Sequence, residues 1–210
     1  MIRPLAGKVC ALAALGAVLS AGTAFAEVTG GGVTGGNSGG VFELLDPAPA
    51  AAGPDEFQSP NLLAFDEQQD LLIDSEISLP SGLIIPVGST ISSHYVTFDP
   101  AQGSTLEGFV DFDEAIIAII GAPPTLDASA LLFGLPGTTY TVGPAIGPEV
   151  NPDMFLVDPV EADRLLVTAA ANSPGDHVRV LTGVLVPEPG AMVLAALAIA
   201  AGATGVVRQV

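Results

Sequence analysis

From Asn61 to Leu185 the chain is cut into short apolar runs by glycine, proline and acidic turns. That punctuation leaves little room for a long helix, which needs apolar residues recurring every three or four positions, and it suits strands of ordinary length. Asn61-Leu62-Leu63-Ala64-Phe65 and Leu71-Leu72-Ile73 flank the polar turn Asp66-Glu67-Gln68-Gln69-Asp70, as in a hairpin with a longer loop. Ile91 to Phe98 alternates, with His94, Val96 and Phe98 on one face and Ser93, Tyr95 and Thr97 on the other, until Asp99-Pro100 ends it. Leu106 to Ile120 is too long for one strand and is predicted as two, joined by a bend near Glu114-Ala115. Met154 to Val157, Leu165 to Ala169 and His177 to Leu185 read as further strands. Leu126 to Gly134, with Asp127 as a cap and a closing glycine, predicts a helix of one or two turns. About eight strands and one short helix predict an all-β fold, an antiparallel β-sandwich of jelly-roll type around a single core. No fixed internal period points to a repeat array.

The two ends differ from this body. Arg3 and Lys8 precede the apolar stretch Val9 to Val18, and Ala24-Phe25-Ala26 supplies small residues before Glu27, so residues 1–26 read as a Sec-type signal peptide with Ala24 and Ala26 at the cleavage site. Cys10, the chain's one cysteine, lies inside it, which leaves the mature chain without disulfide or thiolate chemistry. Residues 27–55 combine the glycine tract Val28 to Gly40 with the Pro/Ala stretch Asp46 to Pro54 and read as a flexible lead and linker. The sandwich is then expected over 56–186.

At the other end, Gly190 to Val207 is a charge-free run that as a helix would reach about 27 Å, close to the ~30 Å of a bilayer core. Alanine and glycine dominate it, so it would be a weak membrane anchor. Pro187 and Pro189 bracket Glu188 and hold the preceding tripeptide extended and open to a protease. Pro-Glu-Pro, an immediate apolar segment and the terminal basic residue Arg208 together resemble the PEP-CTERM sorting signal of Gram-negative bacteria, although that family usually ends in a cluster of basic residues. The resemblance implies that residues 187–210 are a sorting signal with a transmembrane helix over 190–207. It further implies that Pro187, Glu188 and Pro189 are read by the membrane transpeptidase exosortase, and that Arg208 marks the inside. The segments Ser93 to Pro100, Val110 to Glu114, Leu126 to Ser129 and Gly137 to Tyr140 are also similar to a recurring ectodomain of such proteins, one with no assigned activity.

Charge narrows the partners. Of 23 acidic and five basic residues, 22 acids but only Arg164 and Arg179 lie between Glu27 and Val186, a net of −20. Such a field repels phosphate backbones, which excludes nucleic acid as a partner, and attracts divalent cations. With two histidines, His94 and His177, and no mature cysteine, a structural zinc site is not expected. Parity with Val96 and Phe98 favours His94 as a hydrogen-bonded core or edge histidine over a ligand. Gly36-Asn37-Ser38-Gly39-Gly40 matches a serine-hydrolase pattern, but no strand-turn-helix context is predicted around it. Asp99, Asp111, Asp113 and Glu114, at strand ends or on outward positions, are the acids best suited to calcium, although no Asp-x-Asp-x-Asp-Gly loop is present.

The sequence therefore predicts an exported protein, transiently anchored in the inner membrane and then at the cell surface or outside. Exosortase is its expected processing partner, and the sorting resemblance implies association with exopolysaccharide or biofilm. No catalytic residue set is evident and no cofactor beyond calcium is suggested. Two alternatives stay open: a secreted polysaccharide hydrolase using two carboxylates, and a calcium-dependent glycan-binding module.

Overall fold

The strand that holds the fold together is β8 (Thr90–Phe98), in which every residue after Thr90 is buried. The computed structural model describes residues 27–141, 143, 146–149 and 153–186. The predicted cleavage site at Ala24 and Ala26 lies outside the described residues. So do the sorting residues Pro187, Glu188 and Pro189, the span 190–207 and Arg208. Among the described residues, no helix is long and apolar enough to cross a membrane.

The described residues are mostly β, with one short helix. In order come β1 (Val28–Gly36), β2 (Phe42–Leu44), β3 (Ala51–Ala52), β4 (Leu62–Asp66), β5 (Leu71–Leu72), β6 (Ile77–Ser78), β7 (Ile84–Ile85) and β8. There follow β9 (Ser104–Phe112), β10 (Ile116–Ile120), α1 (Pro123–Phe133), β11 (Thr139–Tyr140), β12 (Met154–Val157), β13 (Arg164–Ala171) and β14 (Asp176–Val184). A four-stranded sheet runs β1-β9-β13-β12, and a six-stranded sheet runs β10-β14-β8-β4-β2 with β5 also on β8. The long strands pair antiparallel, whereas the short pairs β2–β4 and β3–β11 are parallel.

Two cores form where the sequence predicts one. Leu106, Val110, Leu165 and Val167 of the four-stranded sheet meet Leu62, Val96, Phe98, Val178 and Val180 of the six-stranded one. The opposite face of the six-stranded sheet, with Phe65, Tyr95 and Leu181, is covered by Leu126 and Phe133 of α1, by Ile85 of β7 and by Ile73 and Ile146 from the connections. Strand β8 is thus buried on both faces, which is why Ser93, Tyr95 and Thr97 are as inaccessible as their apolar neighbours. Each fully buried Leu or Phe contributes roughly 1.5–3 kcal/mol, so the second core is a substantial part of the stability.

The helix starts earlier than its predicted cap. Pro123 occupies the first turn, where its missing N–H and preset φ cost nothing, and Ala122 precedes it without a side-chain cap, so Asp127 lies inside the helix. Leu126, Ser129 and Phe133 form its buried face.

Residues 27–55 are not a flexible lead. The glycine tract forms the nine-residue strand β1, paired along β9, and the Pro/Ala stretch contributes β3. Glycine here permits close cover on both faces. A methyl at Gly31 would lie 2.6 Å from the Phe42 ring and 2.7 Å from the Phe109 carbonyl oxygen, and one at Gly32 would lie 2.9 Å from the Phe109 ring. The aromatic rings fill the space that β1 side chains would otherwise take. Gly31→Ala should therefore cost about 1–3 kcal/mol in urea unfolding. Gly30→Ala, where an added methyl meets nothing within 4 Å, should cost nothing measurable; equal losses at both positions would contradict this account of β1.

Candidate functional site

The polar chemistry of the body is concentrated in three places. The first lies beneath α1. Register sets Arg179 of β14 opposite Tyr95 of β8, and Tyr95 opposite Phe65 of β4, so all three point to the second core. Arg179 grips Glu67 with both ends of its guanidinium, Nε to Oε2 at 2.6 Å and Nη2 to Oε1 at 2.8 Å, both side chains being fully buried. Its Nη1 donates to the Leu126 carbonyl at 3.1 Å and to the Ser129 hydroxyl, and Ser93 Oγ donates to Glu67 Oε2 at 2.5 Å. The guanidinium carbon also sits 5.2 Å from the Tyr140 ring centre. Burial opposes the charge on Arg179, but the hydrogen bond and charge of Glu67 outweigh it and hold the group above its ordinary value. Each polar atom of the pair has partners, so the network locks α1 to the sheet.

Tyr95 and Tyr140 share this environment. Burial is the largest cause raising both phenols above their ordinary value of ~10, and the Glu67 charge adds to it. They are the chain's two tyrosines, so an alkaline titration followed by phenolate absorbance reads them alone. The sign follows: a phenol whose folded value is raised contributes stability fully below pH ~10 and loses it as pH climbs through the folded value. Phenolate should appear only together with unfolding; a transition near pH 10 in folded protein would contradict the packing of these rings.

The second place is His94, which is fully buried and so takes the core alternative that its parity left beside an edge position. Its Nδ1 bonds Asp66 Oδ1 at 2.6 Å and its Nε2 bonds Thr182 Oγ1 at 3.0 Å, while Asp66 Oδ1 also accepts the Val28 N–H at 3.0 Å. The imidazole is thereby spent on linking β4, β8 and β14.

The third place is an acidic group at one end of the two main sheets. Asp153 sits just before β12, Asp176 opens β14, and Glu149 lies in the preceding loop, with one carboxylate oxygen from each within 4.8 Å of the others. Asp153 and Asp176 are buried and Glu149 is exposed. Asp153 Oδ2 accepts the Glu149 N–H at 2.9 Å and Oδ1 the Ala170 N–H at 2.7 Å. Burial, then the charges of Asp153 and Glu149, push the Asp176 carboxyl up to about 7. A hydrogen bond with Asp153, then burial, raises Glu149.

The acids predicted for calcium lie elsewhere, and no three of them bring their oxygens together. Asp99 is buried and caps a loop, its Oδ2 accepting the N–H groups of Phe57 and Gln58 at 3.1 and 3.3 Å; burial raises its carboxyl. Asp111 forms a forked ion pair with Arg164, with Nε to Oδ1 at 2.6 Å and Nη2 to Oδ2 at 3.2 Å. Asp113 Oδ1 accepts the Glu27 N–H at 2.8 Å, and Glu114 is raised by burial and then by Asp113. Among the described residues, the group of three whose oxygens converge is Glu149, Asp153 and Asp176.

The clefts differ in their acids. One of about 640 Å³ beside α1, lined by Gln68, Leu131, Tyr140 and others, carries Asp127 as its single carboxylate. A smaller hollow of about 230 Å³ has Glu27, Asp46 and Asp66 on its wall, but Asp66 is already bound to His94 and Val28. No family profile, characterised protein or solved structure matches the chain.

Proposed function

We propose that the protein is an exported, non-enzymatic surface or extracellular-matrix protein. In this reading a Sec signal peptide is removed after Ala26, and exosortase reads Pro187-Glu188-Pro189 on a precursor held transiently in the inner membrane by residues 190–207. The body is a β-sandwich of jelly-roll type, delivered to the cell surface or exterior to associate with exopolysaccharide in biofilm.

The observation that carries this reading is how the folded body fits between the two predicted processing points. β1 starts at Val28, two residues after Ala26, and β14 ends at Val184, three residues before Pro187. Cutting at either point removes no strand of the described residues. Cleavage after Ala26 would also turn the Glu27 N–H, 2.8 Å from Asp113 Oδ1, into an ammonium facing a carboxylate. A non-enzymatic role is supported by the way the polar groups are used: Glu67, Arg179 and His94 are bound within the body.

Intact-mass analysis of the protein recovered outside cells, with and without the sorting enzyme, tests the route. The expected masses correspond to an N-terminus at Glu27 and a C-terminus at or beside residues 187–190. Recovery of the full tail, membrane-bound in both strains, would overturn it.

A further inference from the structure

We propose that Glu149, Asp153 and Asp176 form a calcium site that ties the four-stranded sheet to the six-stranded sheet where β14 begins. Two oxygens on one calcium ion, at ~2.3–2.6 Å each, can stand at most ~4.6–5.2 Å apart, so three oxygens all within 4.8 Å fit a single ion. Clustered acids are common on solvated surfaces, but two of these are not solvated: Asp153 is 7% exposed and Asp176 2%. Asp176 Oδ2 is buried and has no hydrogen-bond partner among the described residues, although its carboxylate lies against the other two. A buried carboxylate oxygen with no donor is costly, and a cation supplies what no N–H group of the described residues does there.

The donor set selects the ion. Three carboxylates without imidazole or thiolate make a hard, all-oxygen site, which suits calcium better than zinc. Magnesium holds its water tightly and demands a strict octahedron, whereas calcium accepts irregular sets of six to eight oxygens. Asp153 is fixed for the task, since the N–H groups of Glu149 and Ala170 each hold one of its oxygens and leave further lone pairs free. Glu149 is exposed and gives the ion an entry side, where water completes its shell. Asp153 and Ala170 belong with β12 and β13, and Asp176 opens β14, so the ion bridges the two layers. A dissociation constant on the order of 10⁻⁴–10⁻³ M is expected, the range of extracellular calcium modules. That range rests on the export reading; the site itself does not.

The test is thermal unfolding and calorimetric titration of the metal-stripped full-length protein with calcium chloride. One ion should bind, and calcium at about a hundredfold over its dissociation constant should raise Tm by roughly 5–10 °C. Asp176→Asn keeps the side-chain shape and removes one of three crowded charges. It should melt without calcium at or above the wild-type temperature and lose at least about tenfold in calcium affinity. Glu149→Gln, on the exposed side, removes another of the three charges and should weaken binding while melting without calcium at or above the wild-type temperature. Asp111→Asn, remote in the Arg164 ion pair, should keep the full calcium shift. No shift at about 10 mM calcium, or a shift that survives Asp176→Asn, overturns the site. Neither result touches the mass test of export, so the two proposals fail separately.

Discussion

Glu67→Gln should lower stability by about 3–5 kcal/mol, seen as a fall in Tm of roughly 6–20 °C for a chain of this size. The substitution changes little in volume. Its effect comes from charge: Arg179 has no exposed surface and would be left as a buried guanidinium facing a neutral amide. One oxygen would still accept, but the amide nitrogen would point donors at a donor, and the hydrogen bond from Ser93 would lose its charged acceptor. Because Arg179 also holds the Leu126 carbonyl and the Ser129 hydroxyl, α1 should loosen with it, and amide exchange in residues 123–133 should quicken before global unfolding. The double change Glu67→Leu with Arg179→Met should recover much of the loss, since a buried pair replaced as a unit leaves no orphan charge. A loss below ~1 kcal/mol for Glu67→Gln would mean that water reaches the pair, as it does for surface ion pairs.

Elements that carry a local hydrophobic pattern are legible in the sequence. β4, β8, β12, β13 and β14 fall on apolar or alternating runs, and the bend between β9 and β10 falls at Asp113 to Ala115, beside the predicted Glu114-Ala115. β1 was hidden because glycine has no side chain with which to show a period. Its extended shape comes from β9 and from the Phe42 and Phe109 rings, which are supplied from elsewhere in the chain. The early start of α1 was obscured by Asp127, a good cap residue that here sits within a helix already begun by Pro123.

The polar sites were less legible still, for a related reason. Glu67 and Arg179 are 112 positions apart, and Glu67, just after β4, meets Arg179 of β14 across β8, which lies between those two strands. Glu149 and Asp153 share a loop, but Asp176 reaches them only when the two sheets stack, so no ligand spacing exists to be read. Asp176 did offer one clue: it leads directly into an apolar strand, where an acid needs a partner. By contrast Asp111 and Asp113 looked available because alternation placed them outward, and each is held by a neighbour, Arg164 or the Glu27 N–H, that alternation cannot reveal.

Leu106→Ala and Leu126→Ala should each cost about 2–5 kcal/mol, and their costs should add. Leu106 points from the four-stranded sheet into the first core, and Leu126 points from α1 into the second, each with 1% or less of its surface exposed. The six-stranded sheet stands between them, so they share no packing partner, and sites of that kind add within roughly 0.3–0.5 kcal/mol. The single core predicted from the sequence would put both leucines against common neighbours and give a coupling of ~1 kcal/mol or more. A double-mutant cycle in urea therefore decides between one core and two. The same cycle with Leu106→Ala and Leu165→Ala, both in the first core, should show the coupling that the first pair lacks. If the separated pair couples as strongly as that one, β8 transmits packing between its faces and the two cores act as one.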